Sequence, residues 1–302
     1  MVNSSRSHLN LKHSLLYLLT FVLLVSLACD LSRLNPTGIQ LNQPEPTQRR
    51  LFQGITYERI VRQEPRLMVI HVVTIDLKAD GIKTLVTPGD PDSSRPLKAE
   101  TTSEFLSSHE LQLAINGDAF TPWYDLGPLG YTPKEGESVK PLGFAASRGT
   151  VYAQDSDEQP TLYIYQSNKA SINALEGKIF NAISGYELLV WNGDAVDGLD
   201  KSDVDPRTAV GLNRAGSRLI IIIVDGRQPG YSEGATRAEI AQLLLEQKVY
   251  SGINMDGGGS STLVIAGENG RPEVLNSPVH NGVPGRERPV GNHLGFNARG
   301  GQ

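Results

Sequence analysis

Hydrophobic and polar positions alternate along this chain in short runs that predict strands more often than helices. Residues 67–77 (LMVIHVVTIDL) are rich in β-branched side chains and predict a strand, with residues 81–87 as its partner. Arg218–Val224 (RLIIIIV) is the most apolar run, and it predicts a central strand that is buried on both faces. Further strands are predicted at residues 112–116, 142–151, 161–165, 182–190, 251–255 and 261–266.

Helices are fewer. A short one is predicted at residues 102–108, and a longer one follows Thr236, which forms a capping box with Glu239. Residues 268–270 predict a tight turn into residues 271–275, where Pro272 indicates an edge strand. The pattern predicts an α+β fold of mixed β-sheets with a few packed helices, in a single catalytic domain.

The N-terminal 29 residues are typical of an export segment. Arg6 and Lys12 precede an apolar run at residues 14–28, which ends in small residues before Cys29. Lipidation of Cys29 would make the protein a lipoprotein, although Ser26 stands where leucine is usual. Plain cleavage after Ala28, or an uncleaved anchor, is the alternative. We expect export to the periplasm or the outer face of the membrane, with the membrane contacted through this N-terminal lipid anchor.

A polar segment at residues 30–50 follows, and its prolines Pro36, Pro44 and Pro46 predict an extended linker. We assign residues 51–302 to the catalytic domain.

The net charge of −5 disfavours nucleic acid as a partner, because surfaces that coat nucleic acid are basic. The single cysteine excludes an intramolecular disulfide and a cysteine-based zinc site. We predict no cofactor and no metal, since the acidic stretch at residues 194–205 lacks the spacing of an EF-hand loop.

A glycine run between two predicted strands carries the strongest chemical signal. Three successive glycines are costly in a folded chain and indicate a place where side chains would obstruct something. Their amides can converge on an anion, beside an acid and two hydroxyls. A glycine-rich hairpin turn is the alternative, although a turn needs fewer glycines. The run consists of Asp256, Gly257, Gly258, Gly259, Ser260 and Ser261, preceded by Asn254.

Other segments place polar residues where strands end. Asp225 follows the most apolar strand, and a loop containing Ser232 leads to the capped helix, so that an anion site or a plain connection could lie there. Arg207 and Arg288 offer planar guanidinium groups that match phosphate oxygens. A further strand ends at Asn116 and Asp118, and the carboxylate of Asp118 has either a chemical or a turn role.

Taken in order, INGDAF, RTAVG, VDGR, GYSEGATRAEIAQLL, NMDGGGSSTLV and RPVGNHLGF resemble the phosphodiester glycosidase family. The resemblance runs from about residue 67 to residue 296. It implies hydrolysis, at the glycosidic side, of a sugar-1-phosphodiester similar to an α-N-acetylglucosaminyl phosphodiester, within cell-envelope or exopolysaccharide glycans. By motif it implies a site at Asn116, Arg207, Asp225, Ser232, Asn254, Asp256, Gly257, Gly258, Gly259, Ser260, Ser261 and Arg288. Asp118 and Ala119 depart from the glycine or aromatic residue of many relatives.

The chemistry of such a reaction suggests roles for these residues. A phosphomonoester is a good leaving group, so the charge on the departing phosphate needs stabilisation more than protonation. We expect Arg207 and Arg288, with amides of the glycine run, to hold the phosphate. Asp256 is expected to face the anomeric carbon or its attacking water, with Asp118 as the second catalytic candidate.

Two other functions fit part of the sequence. Residues 230–234 (GYSEG) match a nucleophile elbow, and Ser232, Asp256 and His293 follow the order of a serine hydrolase triad. The spacing opposes this, because residues 225–231 separate the predicted strand from the serine. A non-catalytic module that binds envelope glycans is the other alternative.

Overall fold

The computed structural model describes residues 44–124, 130–154 and 158–300. The chain divides into two units, residues 1–42 and residues 43–302, and the second is compact. The export segment, Cys29 and most of the predicted linker lie outside the described residues. Across the described ranges, no helix has the length and apolar character that crossing a membrane requires.

The secondary structure consists mainly of short strands, numbered here in chain order. The first twelve are β1 (Thr47–Phe52), β2 (Ile55–Arg62), β3 (Met68–Asp76), β4 (Lys83–Val86), β5 (Leu97–Lys98), β6 (Leu113–Asn116), β7 (Phe120–Thr121), β8 (Ser138–Pro141), β9 (Ala145–Ser147), β10 (Thr150–Ala153), β11 (Thr161–Ile164) and β12 (Ala170–Ile172). The others are β13 (Asn181–Ser184), β14 (Glu187–Trp191), β15 (Asp194–Ala195), β16 (Arg207–Leu212), β17 (Arg218–Val224), β18 (Ser251–Asn254), β19 (Leu263–Ala266), β20 (Pro272–Val274), β21 (Val279–His280), β22 (Val283–Pro284) and β23 (His293–Asn297). The helices are α1 (Thr102–Ser108) and α2 (Arg237–Glu246).

Three larger sheets make up the fold. The widest has the order β1-β2-β3-β17-β16-β18-β14-β15, and the two five-stranded sheets have the orders β10-β9-β13-β11-β12 and β20-β19-β6-β23-β4. Each strand pair in the described part of the chain is antiparallel. The fold is therefore predominantly β with antiparallel sheets, and the prediction of a balanced α+β fold with mixed sheets is corrected to that extent.

The apolar strand β17 lies in the middle of the widest sheet, and both of its faces are buried. Ile221 and Ile223 belong to a core cluster that includes side chains of β6, β11 and β23. Ile220 and Ile222 point the other way, into a cluster covered by α2. This alternation follows from the two-residue repeat of a strand, and it confirms the prediction of a doubly buried strand.

Several predicted elements have different boundaries or partners. Residues 81–87 do form a strand, β4, but it pairs with β23, while β3 lies between β2 and β17. The run at residues 182–190 divides into β13 and β14 at Gly185, where any Cβ would collide with the carbonyl oxygen of Asn254. Residues 142–151 likewise divide into β9 and β10. The strand β1 begins at Thr47, so residues 47–50 belong to the widest sheet and not to the linker.

Candidate active site

The glycine run forms a tight turn after β18, with a 3-10 helix at Gly258–Ser260. Most of its amides already donate hydrogen bonds inside the protein. The donors are Gly257 N to Asp256 Oδ1 (3.0 Å), Gly258 N to Pro206 O (2.8 Å), Ser260 N to Gly257 O (3.1 Å) and Ser261 N to Gly258 O (3.3 Å). For these four amides the predicted phosphate nest is wrong, because a donor that is committed to the fold is not available to a ligand.

Close approach of other segments explains the glycines better. Gly258 has a φ of +58°, and a Cβ there would lie 3.0 Å from Nη2 of Arg227. A Cβ on Gly259 would lie 2.5 Å from Nη2 of Arg288. The bare turn thus lets two guanidinium groups from distant loops come against its backbone.

A cavity of about 450 Å³ opens beside this turn. Its wall combines arginines, carboxylates and aromatic rings, which together suit an anionic ligand that also has an apolar part. The lining residues are Ala119, Phe120, Trp123, Tyr186, Glu187, Asp205, Arg207, Arg227, Arg237, Asn254, Met255, Asp256, Gly257, Gly258 and Arg288. Of the predicted site residues, the structure therefore brings Arg207, Asn254, Asp256, Gly257, Gly258 and Arg288 to one cavity.

Arg207 is fixed by the fold before any ligand arrives. It is the first residue of β16, and it is 6% exposed. Its Nε donates to the carbonyl oxygen of Ala235 at 2.9 Å, and its Nη2 donates to the carbonyl oxygen of Asp203 at 2.6 Å and to Oδ2 of Asp203 at 2.9 Å. A guanidinium held in this way presents a fixed positive charge to the cavity.

Arg288 approaches the turn from a different loop. Its Nη1 donates to Oγ of Ser260 at 3.2 Å, and its Cζ lies 5.6 Å from the centre of the Trp123 ring. Its Nε is 3.4 Å from Nδ1 of His280, whose pKa is lowered to about 4 by burial and by Arg288 and Arg286. A neutral His280 accepts a hydrogen bond, so it helps to orient the guanidinium at neutral pH.

Asp256 lines the same cavity as these two cationic groups. Its carboxylate accepts a hydrogen bond from the Ser260 hydroxyl, which itself accepts one from Arg288. Burial raises the pKa of Asp256, against the lowering effects of Ser260, Arg288 and the Gly257 amide. A desolvated carboxylate that interacts with the Arg288 guanidinium, in a cavity that Arg207 also lines, has the position and the basicity that general base or nucleophilic chemistry requires.

Asp118 is near this centre but behind its wall. It is 1% exposed, and its Oδ1 accepts from Nδ2 of Asn292 at 2.9 Å, while Oδ2 has no hydrogen-bond partner in the described ranges. Burial raises the pKa of Asp118 well above its usual value, and the negative charge of Asp256 acts in the same direction. Because Asp118 does not line the cavity, its placement does not support direct contact with a substrate.

Asn116 connects Asp256 to neighbouring segments through the hydrogen bonds of its side chain. Its Nδ2 donates to the carbonyl oxygen of Asp256 at 2.7 Å, and its Oδ1 accepts from Thr208 Oγ1 and from the Thr262 amide. Asn116 is fully buried. It therefore joins the ends of three segments, and the predicted contact with substrate is corrected to a structural role.

The placement of Asp225 and Ser232 also differs from the prediction. Asp225 is buried, and its Oδ2 lies 3.0 Å from Nε2 of His71. Burial acts to raise the pKa of Asp225, but its interaction with His71 and the hydrogen bonds from Ser277 and Asn276 hold the pKa below its usual value. Oγ of Ser232 accepts from the Val69 amide at 3.0 Å and donates to the carbonyl oxygen of Asp225 at 2.6 Å. Neither residue lines the cavity. Both stabilise the loop before α2, so the expected contact with substrate is corrected.

Gly259, Ser260 and Ser261 lie behind the cavity surface, with Ser260 and Ser261 at most 1% exposed.

The serine triad that was considered as an alternative is not assembled. His293 is buried on β23, where its Nδ1 is 3.1 Å from Oγ1 of Thr87, and burial lowers the pKa of His293 to about 3. The hydrogen bonds of Ser232 and His293 go to other partners.

Several cavity residues were missed at the level of the sequence. Tyr186 and Glu187 line the cavity at the start of β14, inside a run that was predicted as one continuous strand. Gly185 was the available signal of the interruption. Arg237, in the first turn of α2, pairs with Glu187 at 3.0 Å and with Asp200 at 3.4 Å.

Comparison with known proteins places this geometry in a family. The family model described as phosphodiester glycosidase matches residues 109–297, well over half of the chain. The chain belongs to the phosphodiester glycosidase family. All of the predicted site residues except Cys29 fall inside the matched range, so the cavity is built from the part of the chain that carries the family pattern.

Comparison with individual proteins gives a similar result. The chain is 44% identical over 64 residues to the bovine N-acetylglucosamine-1-phosphodiester alpha-N-acetylglucosaminidase, a match that spans 21% of this chain and only 12% of the bovine protein. A zebrafish catalytic domain of that name, auto-inhibited by its pro-peptide, aligns over 86% of this chain and 85% of its own, with 21% identity and a TM-score of 0.58. A hypothetical protein from Synechocystis aligns over 85% of this chain and 64% of its own, with 15% identity and a TM-score of 0.54. The two structures establish a shared fold.

Proposed function

We propose that this protein hydrolyses a sugar-1-phosphodiester at the bond between the anomeric carbon and the phosphate oxygen. The observation that carries the proposal is the position of the Asp256 carboxylate in one cavity with the guanidinium groups of Arg207 and Arg288. Membership of the phosphodiester glycosidase family supports the same reaction.

In this mechanism Arg288 and Arg207 bind the phosphate. Both are held by hydrogen bonds to the protein, so their charges need little reorganisation as negative charge develops on the leaving oxygen. The bond between the anomeric carbon and oxygen breaks, and its electron pair leaves with the phosphomonoester. Asp256 acts at the anomeric carbon, either directly or by accepting a proton from the attacking water, whose oxygen becomes the new anomeric hydroxyl.

A labelling experiment tests the bond that breaks. The full-length chain in detergent is incubated in ¹⁸O-water with a panel of sugar-1-phosphodiesters, and the products are followed by phosphorus NMR and mass spectrometry. We expect a phosphomonoester without the label and a free sugar that contains it. Label in the phosphate would indicate attack at phosphorus and contradict the proposal.

We further propose that the substrate is a glycan of the cell envelope or an exopolysaccharide, which the protein meets after export and lipidation at Cys29. The support is the sequence pattern of residues 1–29. Metabolic labelling with a fatty acid tests this, with Cys29→Ser as the matched variant. Absence of label on the wild-type chain would favour plain signal cleavage.

A glycan-binding module without catalysis is the second candidate. The half-exposed aromatic side chains Trp123 and Tyr186 at the cavity favour it, because such rings pack on sugars without needing any reaction. Saturable binding of a sugar phosphodiester with no product after prolonged incubation would support this candidate over hydrolysis.

A further inference from the structure

Tyr186 is anchored directly beside the segment that carries the Asp256 carboxylate. Its amide donates to the carbonyl oxygen of Asn254 at 2.8 Å, and the next residue, Glu187, is in register with Asn254 on β18. Gly185 makes this approach possible, since a Cβ there would collide with the same carbonyl oxygen. The backbone of Tyr186 is therefore fixed against Asn254, which lies two residues before Asp256 in the chain.

The side chain of Tyr186 is nevertheless open to the cavity. It lines the cavity and is 47% exposed, which is a large fraction for an aromatic residue with a fixed backbone. Burial raises the pKa of its hydroxyl, as do the charges of Asp256 and Asp118, whereas Arg288 acts in the opposite direction. The hydroxyl thus lies within electrostatic reach of Asp256 and Arg288 and stays protonated.

Asn254 adds a polar group to the part of the cavity wall beside Tyr186, which we call the Tyr186 corner. Its side chain lines the cavity and is 5% exposed, yet Oδ1 has no hydrogen-bond partner in the part of the chain that the structure describes. A buried amide oxygen without a partner is energetically costly, because it has lost its hydrogen bonds to water. A ligand with a hydroxyl or an N–H group at this corner would satisfy it.

The negative charge near Tyr186 and Asn254 limits which kind of sugar can bind at this corner. The Asp256 carboxylate lines the same cavity as Tyr186, and its negative charge raises the pKa of the Tyr186 hydroxyl. An acidic sugar would bring a carboxylate toward Asp256, and two like charges at short distance repel each other. The corner therefore suits a ring that has an apolar C–H face, hydrogen-bonding substituents and no charge.

We propose that Tyr186 and Asn254 form the sugar subsite of this cavity, and that Tyr186 selects an uncharged pyranose. The ring of Tyr186 packs on the C–H face of the sugar, its hydroxyl bonds a ring substituent, and the amide of Asn254 accepts a hydrogen bond from another. The phosphate remains with Arg288 and Arg207. This inference rests on the proposed function, since it assigns one half of a glycosyl phosphodiester.

Binding of analogues that cannot react tests the subsite separately from catalysis. One probe is the methyl ester of the C-glycosyl phosphonate of α-N-acetylglucosamine, in which a CH₂ group replaces the scissile oxygen. A second probe has a glucuronic acid ring, and dimethyl phosphate has no sugar. Affinities for the full-length chain in detergent are measured by calorimetry and by phosphorus NMR titration.

For Tyr186→Ala we expect about tenfold weaker binding of the N-acetylglucosamine probe, because the ring contact is lost. Tyr186→Phe keeps the ring and should weaken binding about threefold through the lost hydroxyl. Neither variant should change the affinity for dimethyl phosphate. The wild type should bind the glucuronic acid probe more weakly than the neutral one. Trp191 is a 39% exposed aromatic residue on β14, the strand that directly follows Tyr186, and Trp191→Ala is the matched control that should match the wild type.

The outcomes separate the inference from the proposed function. Unchanged affinity of Tyr186→Ala for the neutral probe overturns the sugar subsite, even if the wild type hydrolyses sugar phosphodiesters. An equal loss of affinity for dimethyl phosphate also overturns it, because the phosphate side would then be affected as well. Binding that depends on Tyr186, in a wild type that hydrolyses no phosphodiester, supports the subsite and contradicts the proposed function.

Discussion

Gly259 packs directly under Arg288, so closely that a methyl group on its Cα would lie 2.5 Å from Nη2 of the guanidinium and 2.8 Å from the carbonyl oxygen of Val279. Gly259→Ala should therefore displace Arg288 and destabilise the fold by about 1–3 kcal/mol through overpacking. We expect kcat/KM to fall at least about tenfold with the displaced guanidinium. Chemical denaturation and steady-state kinetics measure the two effects. Gly177→Ala, whose Cβ would meet its nearest atom at 3.9 Å, is the matched control and should leave both quantities unchanged.

Substitution of Arg288 by lysine tests whether the planar shape of the guanidinium is needed in addition to its positive charge. Arg288→Lys keeps the positive charge but loses the planar group that lies over Trp123 and donates to Ser260. We expect kcat/KM for a sugar phosphodiester to fall on the order of a hundredfold. The exposed Arg286, two residues earlier, offers the control Arg286→Lys. Equal activities of the two variants would remove Arg288 from the phosphate site.

Asp256→Asn tests the carboxylate at the reacting centre. An amide cannot accept the proton of water or attack the anomeric carbon, so kcat should fall by about 10²–10⁴. Stability at neutral pH should not fall, because burial raises the pKa of Asp256 and so disfavours its ionised form in the folded protein. Activity near the wild-type level in a folded variant would exclude Asp256 from the mechanism.

Ser232→Ala should affect folding and leave catalysis intact. The substitution removes the hydroxyl that accepts from the Val69 amide and donates to the carbonyl oxygen of Asp225. Leaving these buried groups without partners should lower the free energy of unfolding by about 1–3 kcal/mol. We expect unchanged kcat below the unfolding temperature, and no labelling of the wild type by a fluorophosphonate probe. Labelling at Ser232 would restore the serine hydrolase hypothesis.

Asp118 should make the stability of the fold dependent on pH. Burial raises the pKa of Asp118 well above its unfolded value, so between the two values the folded state holds a proton that the unfolded state has released. This contribution to stability is complete below the unfolded pKa and decreases as the pH rises toward the folded one. Asp118→Asn should therefore raise the melting temperature near neutral pH more than at pH 4. Parallel melting profiles of variant and wild type across this range would contradict the assignment.

Local patterns in the sequence predicted much of the fold. The β-branched run of β3, the doubly buried β17 and the capping box of α2 were visible because each depends on neighbouring residues. Pairing partners were not visible. The strand β4 pairs with β23, which lies some two hundred positions later in the chain, and no local pattern records such a contact.

At the site, too, the sequence indicated which residues take part but not which contacts they make. The sequence singled out Asp256, Arg207 and Arg288, and the structure brings all three to one cavity. It also suggested that amides of the glycine run were open to an anion, but the Gly258 amide donates to Pro206, a tertiary contact, and three others donate within the turn itself. Tyr186 was missed because an aromatic residue in an apolar run is usually part of the core.

Four amides of the glycine turn are already bound, and this has a consequence for how a ligand is accommodated. Because the amides of Gly257, Gly258, Ser260 and Ser261 are occupied by Pro206 and by the turn itself, the charged side chains must supply most of the attraction for an incoming anion. A site of this kind favours a ligand whose shape already fits the cavity. Its main chain adjusts little to bind a ligand that does not fit. Discrimination here would then arise from steric fit and fixed charge, with hardly any induced adjustment of the main chain.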